Sequence, residues 1–143
     1  MNFDEYKVEL NKKASLVSIV CERFEGYETS QKTNASLLEL RELLRTLGVE
    51  AASDYVQNKS SLEAATMLGT GKLEEISYAA KAEGSQLLVF DFELTASQIR
   101  NIKNISGLEV IDRSMVILEI FAHHARTSEA RLQVEISRLQ YML

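Results

Sequence analysis

The sequence of 143 residues contains no proline, no tryptophan and a single cysteine. One cysteine excludes a disulfide framework and a cysteine-based metal cluster within the chain, and we expect Cys21 to be a small buried side chain. Without proline, the composition shows no interdomain linker. No apolar run reaches the roughly 18 residues that a membrane span requires, and the first residues resemble neither a signal nor a transit peptide. We therefore predict a cytoplasmic protein without a membrane span.

Positive charge is also in deficit. The chain has 16 basic and 21 acidic residues, and its formal net charge is -5. This balance argues against a domain that clamps nucleic acid with its whole surface, although it allows a local basic face. An apolar content of 45% and a charged content of 26% are ordinary for a globular protein, and the length fits one domain with a sizeable core.

Short apolar segments alternate along the chain with amphipathic ones. The pattern predicts strands at 16–21, 49–57, 86–90 and 108–111, and helices at 35–47, 72–83 and 96–104. We expect Thr33 or Asn34 to cap the first helix and Thr95 to cap the third. Strands that are apolar on both faces and separated by helices indicate a parallel sheet covered by helices. The sequence therefore predicts an α/β fold with a four-stranded, mostly parallel sheet in residues 1–113.

The last 30 residues carry a different pattern. From Ser114 to Leu143 there is no glycine or proline, and apolar residues recur at alternating steps of three and four. This spacing is typical of one face of a helix, and a helix of this length spans roughly 45 Å. We predict one long helix over 114–143 within a helical arm, whose apolar stripe requires a partner helix. The chain is then the front part of a longer protein, and the stripe could drive self-association.

Polar residues follow the ends of three predicted strands. In open parallel sheets, ligands bind outside the carboxyl ends of the strands. The candidates are Gly69, Thr70, Gly71 and Lys72 after the second strand, Asp91 and Glu93 after the third, and Asp112 and Arg113 after the fourth. The glycines let a ligand approach the backbone, and the following helix offers free N–H groups to a nucleotide or RNA phosphate. A tight turn with a solvated Lys72 is the alternative.

Two carboxylates among these residues could form an acid–base pair. Asp91 and Glu93 would point the same way in an extended segment, but no nucleophile completes a catalytic site. The alternative is an ion pair between Asp91 and either Arg100 or Arg113. We predict no catalytic residue in this chain.

The predicted long helix carries histidines and arginines. His123 and His124 are adjacent, so they cannot share a metal ion as an i, i+4 pair would, and we predict no metal site. Arg126, Arg131 and Arg138 are candidates for contacts with RNA or another domain, because arginine binds phosphate through two parallel hydrogen bonds. Ordinary surface ion pairs of Glu135 with Arg131 and Arg138 are the alternative.

The second half of the chain resembles HflX-type GTPases. Residues 69–76 are similar to the motif G-x-G-K-x-E-E-[IL], and residues 90–101 are similar to F-D-x-E-L-[ST]-x-x-Q-x-R-N. Residues 110–129 are similar to V-x-D-R-[ST]-x-x-I-L-x-I-F-A-x-x-A-[RK]-[ST]-x-E, and the likeness continues to Leu143. The chain is thus identified as resembling the N-terminal domain of such a protein.

The resemblance implies an N-terminal α/β domain, a two-helix antiparallel arm and then a GTPase domain that would contact this chain in cis. By this resemblance, the helix over 114–143 is the first half of the antiparallel helical arm. It implies a parent that hydrolyses GTP with magnesium, binds the large ribosomal subunit and its RNA, and splits ribosomes under stress. The present sequence has neither the GxxxxGK[ST] loop nor an NKxD motif, so we expect no GTP hydrolysis and no cofactor in it.

Three hypotheses follow. The first is a binding and regulatory module that docks on large-subunit RNA. The second is a domain that binds ATP or an RNA phosphate through Gly69, Gly71 and Lys72, as the resemblance also implies. The third is a structural module that associates with itself.

Overall fold

Four strands alternate with helices along the chain. The computed structural model describes residues 12–20, 30–59, 62–124 and 128–142. Its elements are β1 (Lys13–Val20), α1 (Ser30–Thr46), β2 (Glu50–Asn58), α2 (Thr70–Ala82), β3 (Leu87–Phe90), α3 (Ala96–Ser106), β4 (Glu109–Asp112), α4 (Arg113–His124) and α5 (Ser128–Met142). Cys21, Arg126 and Leu143, which figure in the sequence analysis, lie outside the described residues.

The four strands form one sheet in the order β2-β1-β3-β4, and every neighbouring pair is parallel. The predicted α/β fold and parallel sheet are therefore confirmed. Seven of the eight residues of β1 and all four of β3 are buried, as expected for central strands covered on both faces. At the edge of the sheet, β2 is largely exposed.

The core lies on both faces of the sheet, because successive side chains of a strand point to opposite sides. Leu88 and Phe90 of β3 belong to the core that α2 and α3 cover, whereas Leu87 and Val89 belong to the core beneath α1 and α4. The carboxyl ends of β3 and β4 are held between these two layers.

The helix ends confirm one predicted cap and correct another. The Thr95 hydroxyl accepts a hydrogen bond from the Gln98 N–H at 3.1 Å, and the Gln98 side chain accepts one from the Thr95 N–H at 2.9 Å. This capping box fixes the start of α3. The prediction that Thr33 or Asn34 caps α1 is wrong, because the helix already begins at Ser30 and Thr33 is buried within it.

The predicted continuous helix over 114–143 is corrected by the structure, which has α4 and α5 in its place. Glu119 and Arg138 would be about 28 Å apart in one straight helix, yet Glu119 Oε1 and Arg138 Nη2 are 2.6 Å apart. Consequently α5 runs back along α4. Its packing follows the ion pair rather than the stripe, since Leu132 and Ile136 remain 55% and 40% exposed.

Candidate functional site

Asp112, at the carboxyl end of β4, joins two segments of the backbone. Its side chain is fully buried. Oδ2 accepts the N–H of Leu94 at 2.7 Å, and Oδ1 accepts the N–H of Met115 at 3.1 Å. Both oxygens are therefore used to hold the segment after β3 against the first turn of α4.

Burial raises the pKa of the Asp112 carboxyl from its ordinary value of 3.8 to about 6. The hydrogen bonds from the Leu94 and Met115 N–H groups oppose this shift, and the charge of Glu93 adds to it. Stability carried by this group therefore depends on pH in the acidic range.

Arg113, the next residue, links the same sheet edge to α1. Its guanidinium lies 2.7 Å from Asp91 Oδ1 and 2.6 Å from Glu39 Oε1, and it donates to the Ser36 carbonyl at 3.2 Å. The Asp91 side chain is only 3% exposed. The predicted ion pair between Asp91 and Arg113 is confirmed, and Arg113, which also contacts Glu39 and Ser36, fastens α1 to the end of β3.

Glu93 does not join Asp91 in a carboxylate pair. Residues 91–92 form a bend, and Glu93 is exposed while the Asp91 side chain is buried. The prediction that the two side chains point the same way is therefore wrong, because the segment after β3 is not extended.

The Gly69–Lys72 segment forms the start of α2. Gly69 is the N-cap, and no side chain caps the helix. A Cβ on Gly69 or Gly71 would meet no atom within 4 Å, so a ligand could approach the backbone here. Lys72 Nζ lies 3.6 Å from Glu75. No hydrogen bond or ion pair joins this segment to Asp112 or Arg113 in the part of the chain that the structure describes.

The arginines predicted for the arm occupy different environments. The Arg138 side chain is 4% exposed and pairs with Glu119 at 2.6 Å and with Glu135. Arg131 is exposed and lines a cleft of about 280 Å³ with His123, Glu135 and Arg138. Arg138 thus serves the contact between α4 and α5.

Among residues 12–20, 30–59, 62–124 and 128–142, no group of three His, Cys, Asp or Glu side chains could hold a metal ion. No helix described there is long and apolar enough to cross a membrane.

One surface was missed by the sequence analysis. Ser97, Arg100, Lys103 and Asn104 all lie on the exposed face of α3, and α3 contains no acidic residue. That absence is visible in the sequence and could have revealed the surface. Beside it, at the start of α3, an open cleft of about 780 Å³ is lined by Glu93, Thr95, Ser97, Arg100 and Tyr141, among others.

The structure is a small α/β domain with a parallel sheet, helices on both faces of the sheet, and a polar junction of Asp91, Asp112 and Arg113 at the carboxyl ends of β3 and β4. The family model of the GTP-binding GTPase N-terminal domain matches residues 34–122. The chain therefore belongs to the family of N-terminal domains of GTP-binding GTPases.

Relatives with curated names agree with this membership. The chain is 36% identical over 131 residues to the GTPase HflX of Caldanaerobacter subterraneus subsp. tengcongensis, covering 92% of this chain and 29% of the relative. It is 36% identical over 140 residues to the GTPase HflX of Escherichia coli, covering 98% of this chain and 31% of the relative. The chain thus spans about 30% of the length of these relatives.

Solved structures show the same fold. A GTP-binding protein of the hyperthermophilic archaeon Sulfolobus solfataricus, in complex with GDP, superimposes with a TM-score of 0.58 and 28% identity. The match covers 91% of this chain and 36% of that protein. A variant of the protein named SsGBP matches with a TM-score of 0.65 and 28% identity over 91% of this chain and 38% of the other.

Proposed function

We propose that this domain is the ribosome-binding and regulatory module of a GTP-hydrolysing protein of the HflX type. In this proposal the parent protein associates with the large ribosomal subunit in the cytoplasm and splits ribosomes under stress. GTP and magnesium would bind in its GTPase domain, which would contact this domain in cis. The observation that carries the proposal is the family match over residues 34–122 in a chain that spans only about 30% of relatives named GTPases.

The polar residues at the carboxyl ends of β3 and β4 favour a binding function of the domain over a catalytic one. Asp112 uses both carboxylate oxygens on backbone N–H groups, and Asp91 is occupied by Arg113. Catalytic carboxylates must instead reach a substrate with a proton to give or take. Asp91, Asp112 and Arg113 therefore stabilise the fold, and recognition is left to the exposed surfaces.

Cosedimentation with purified ribosomal subunits tests this function. We expect the chain to pellet with large subunits and to remain in the supernatant with small subunits at near-physiological salt. The small subunit is the matched control, because both particles present RNA phosphates that bind cations without specificity at low salt. Equal pelleting with both subunits, or with neither, would contradict the proposal.

A second candidate function is phosphate binding, for example of ATP, at the start of α2. It is favoured by the open space over Gly69 and Gly71 and by the lack of a side-chain cap, which leave the first N–H groups of the helix available. Lys72 would add one positive charge.

Calorimetry with ATP tests this candidate on the chain and on its Lys72→Ala variant. We expect the variant to bind ATP about tenfold more weakly, since a hydrogen bond to a charged group contributes roughly 1.5 kcal/mol. Lys32→Ala, which removes an exposed lysine from α1 on the opposite face of the sheet, is the control and should leave the heat unchanged. Equal heats for the chain and both variants would exclude Lys72 from any phosphate site.

A further inference from the structure

The exposed face of α3 is basic although the chain as a whole is acidic. Arg100 and Lys103 are its only charged residues, and Ser97 and Asn104 lie on the same exposed face. These positions recur every three or four residues, so they follow one line along the helix. The formal net charge of -5 is therefore distributed unevenly, and α3 carries none of the negative charge.

The orientation of this face is fixed. Ile99 and Ile102 are buried against the sheet. On the flank, the Gln98 and Asn101 side-chain amides donate to the carbonyls of Ala64 and Ala65, each at 3.1 Å. With the capping box at Thr95, these contacts prevent α3 from rotating about its axis, so the basic residues are held outward before any partner binds.

Among the described residues, Arg100 and Lys103 have no carboxylate partner, whereas several other cations do. Lys72, for example, pairs with Glu75, and Arg41 pairs with Asp54. Within the ranges that the structure describes, no ion pair within 4 Å involves Arg100 or Lys103, and the Arg100 guanidinium donates only to the Ser97 hydroxyl, at 3.3 Å. Their charge is therefore available to an external anion.

Lys81 of α2 extends the basic face, and Tyr78 lies one turn before it on the same helix. Lys81 Nζ lies 3.1 Å from the position that a Cβ on Gly107 would occupy, which brings it to the carboxyl end of α3. No described carboxylate pairs with Lys81 either. One turn earlier, Tyr78 is 80% exposed. The α2–α3 surface, as we name it, consists of Tyr78, Lys81, Ser97, Arg100, Lys103 and Asn104.

We propose that the α2–α3 surface is where this domain contacts RNA, an inference that rests on the proposed function. Arg100, Lys103 and Lys81 would bind backbone phosphates, which attract unpaired cations. An unpaired base can stack on the exposed Tyr78 ring. RNA supplies such bases, whereas an acidic protein segment does not. The exposed Tyr78 ring, which stands three residues before Lys81 on α2, is the reason to favour RNA over an acidic protein.

Fluorescence anisotropy with a labelled single-stranded RNA of about 12 nucleotides tests the inference. The test variant is Arg100→Gln/Lys103→Gln. The control is Lys32→Gln/Arg45→Gln, which removes two exposed cations from α1, on the opposite face of the sheet. We expect the test variant to bind about tenfold more weakly near 50 mM salt, and its salt slope to fall by about 1.4, as for two lost phosphate contacts. The control should match the parent chain.

The stacking contact has a separate readout. Tyr78→Ala should weaken RNA binding by about tenfold, whereas Tyr78→Phe, which keeps the ring, should bind like the parent chain. All of these positions are exposed, and thermal unfolding measured by circular dichroism verifies that each variant is folded.

Three outcomes overturn the inference. They are equal losses in the Arg100→Gln/Lys103→Gln and Lys32→Gln/Arg45→Gln variants, no loss in Tyr78→Ala, or displacement of the RNA by polyglutamate as readily as by unlabelled RNA. The last would assign the surface to an acidic protein.

Cosedimentation separates this inference from the proposed function. If the Arg100→Gln/Lys103→Gln variant pellets with large subunits as the parent does, the surface is wrong and the function stands. If the α2–α3 surface binds RNA but the chain does not pellet with large subunits, the proposed function is wrong and the assignment of the RNA-binding surface is retained.

Discussion

Replacing Asp112 with alanine is expected to lower the free energy of unfolding by about 3 kcal/mol. The substitution leaves the N–H groups of Leu94 and Met115 without the carboxylate that accepts them at 2.7 and 3.1 Å, and each unsatisfied buried donor costs roughly 1–3 kcal/mol. Urea unfolding followed by circular dichroism measures the change. A loss below about 0.5 kcal/mol, the size of an ordinary surface effect, would contradict the role given to Asp112.

The Asp112→Asn variant isolates the charge of the same group. Since burial raises the pKa of Asp112 from 3.8 to about 6, the folded protein binds more protons than the unfolded chain between these values. Stability from this group is then greatest at low pH and falls as the pH rises through about 4 to 6. When the pH is lowered from about 7 to about 5, the free energy of unfolding of the parent chain should rise by about 1 kcal/mol more than that of the asparagine variant. If the stability of the parent chain and that of the asparagine variant change with pH in the same way, the raised pKa of Asp112 is contradicted.

Replacing Arg138 with alanine is expected to release α5 from α4. Arg138 is the guanidinium that lies between Glu119 and Glu135, and removal of one partner from a buried ion pair costs about 3 kcal/mol. Because α5 is the terminal element described, the loss should appear as local opening. Amide hydrogen exchange in residues 128–142 should accelerate about 100-fold, the equivalent of this free energy.

Arg131→Ala is the matched control on the same helix, since Arg131 is exposed. Its exchange rates should remain within about threefold of the parent, as for a surface substitution. If Arg131→Ala and Arg138→Ala accelerate exchange equally, the buried ion pair does not hold α5 against α4.

The sheet could be predicted because its signals are local and strong. Runs such as Leu87 to Phe90 are apolar on both faces, and the structure buries all four of these residues. The Thr95 cap was equally visible, because threonine and Gln98 stand at the capping-box spacing. Patterns of this kind depend only on neighbours along the chain.

The turn back of α5 could not be predicted from the same kind of pattern. Apolar spacing continues from Ser114 to Leu143 without glycine or proline, and this favours one helix. The contact that decides the packing joins Glu119 to Arg138, two polar residues that are distant in sequence and lie outside the apolar stripe. The exposed Leu132 and Ile136 keep self-association as a prediction for light scattering to test.

The candidate site was predicted in its pairings only in part. The Asp91–Arg113 ion pair was one of two alternatives read from the sequence, and the structure contains it. That Asp112 would be fully buried and bound to two N–H groups could not be foreseen, because its acceptor role depends on how α4 meets the segment after β3. The proposed phosphate role of Gly69 to Lys72 stays a prediction.

We propose that Asp91, Asp112 and Arg113, at the carboxyl ends of β3 and β4, maintain the fold, while the α2–α3 surface recognises RNA. Backbone amide NMR during titration of the chain with the short RNA tests both roles at once. We expect the largest chemical-shift changes in residues 78–81 and 97–107, and no change at Asp112 to Met115. Largest changes at residues 69–72, or at Asp91 to Leu94 and Asp112 to Met115, would contradict it.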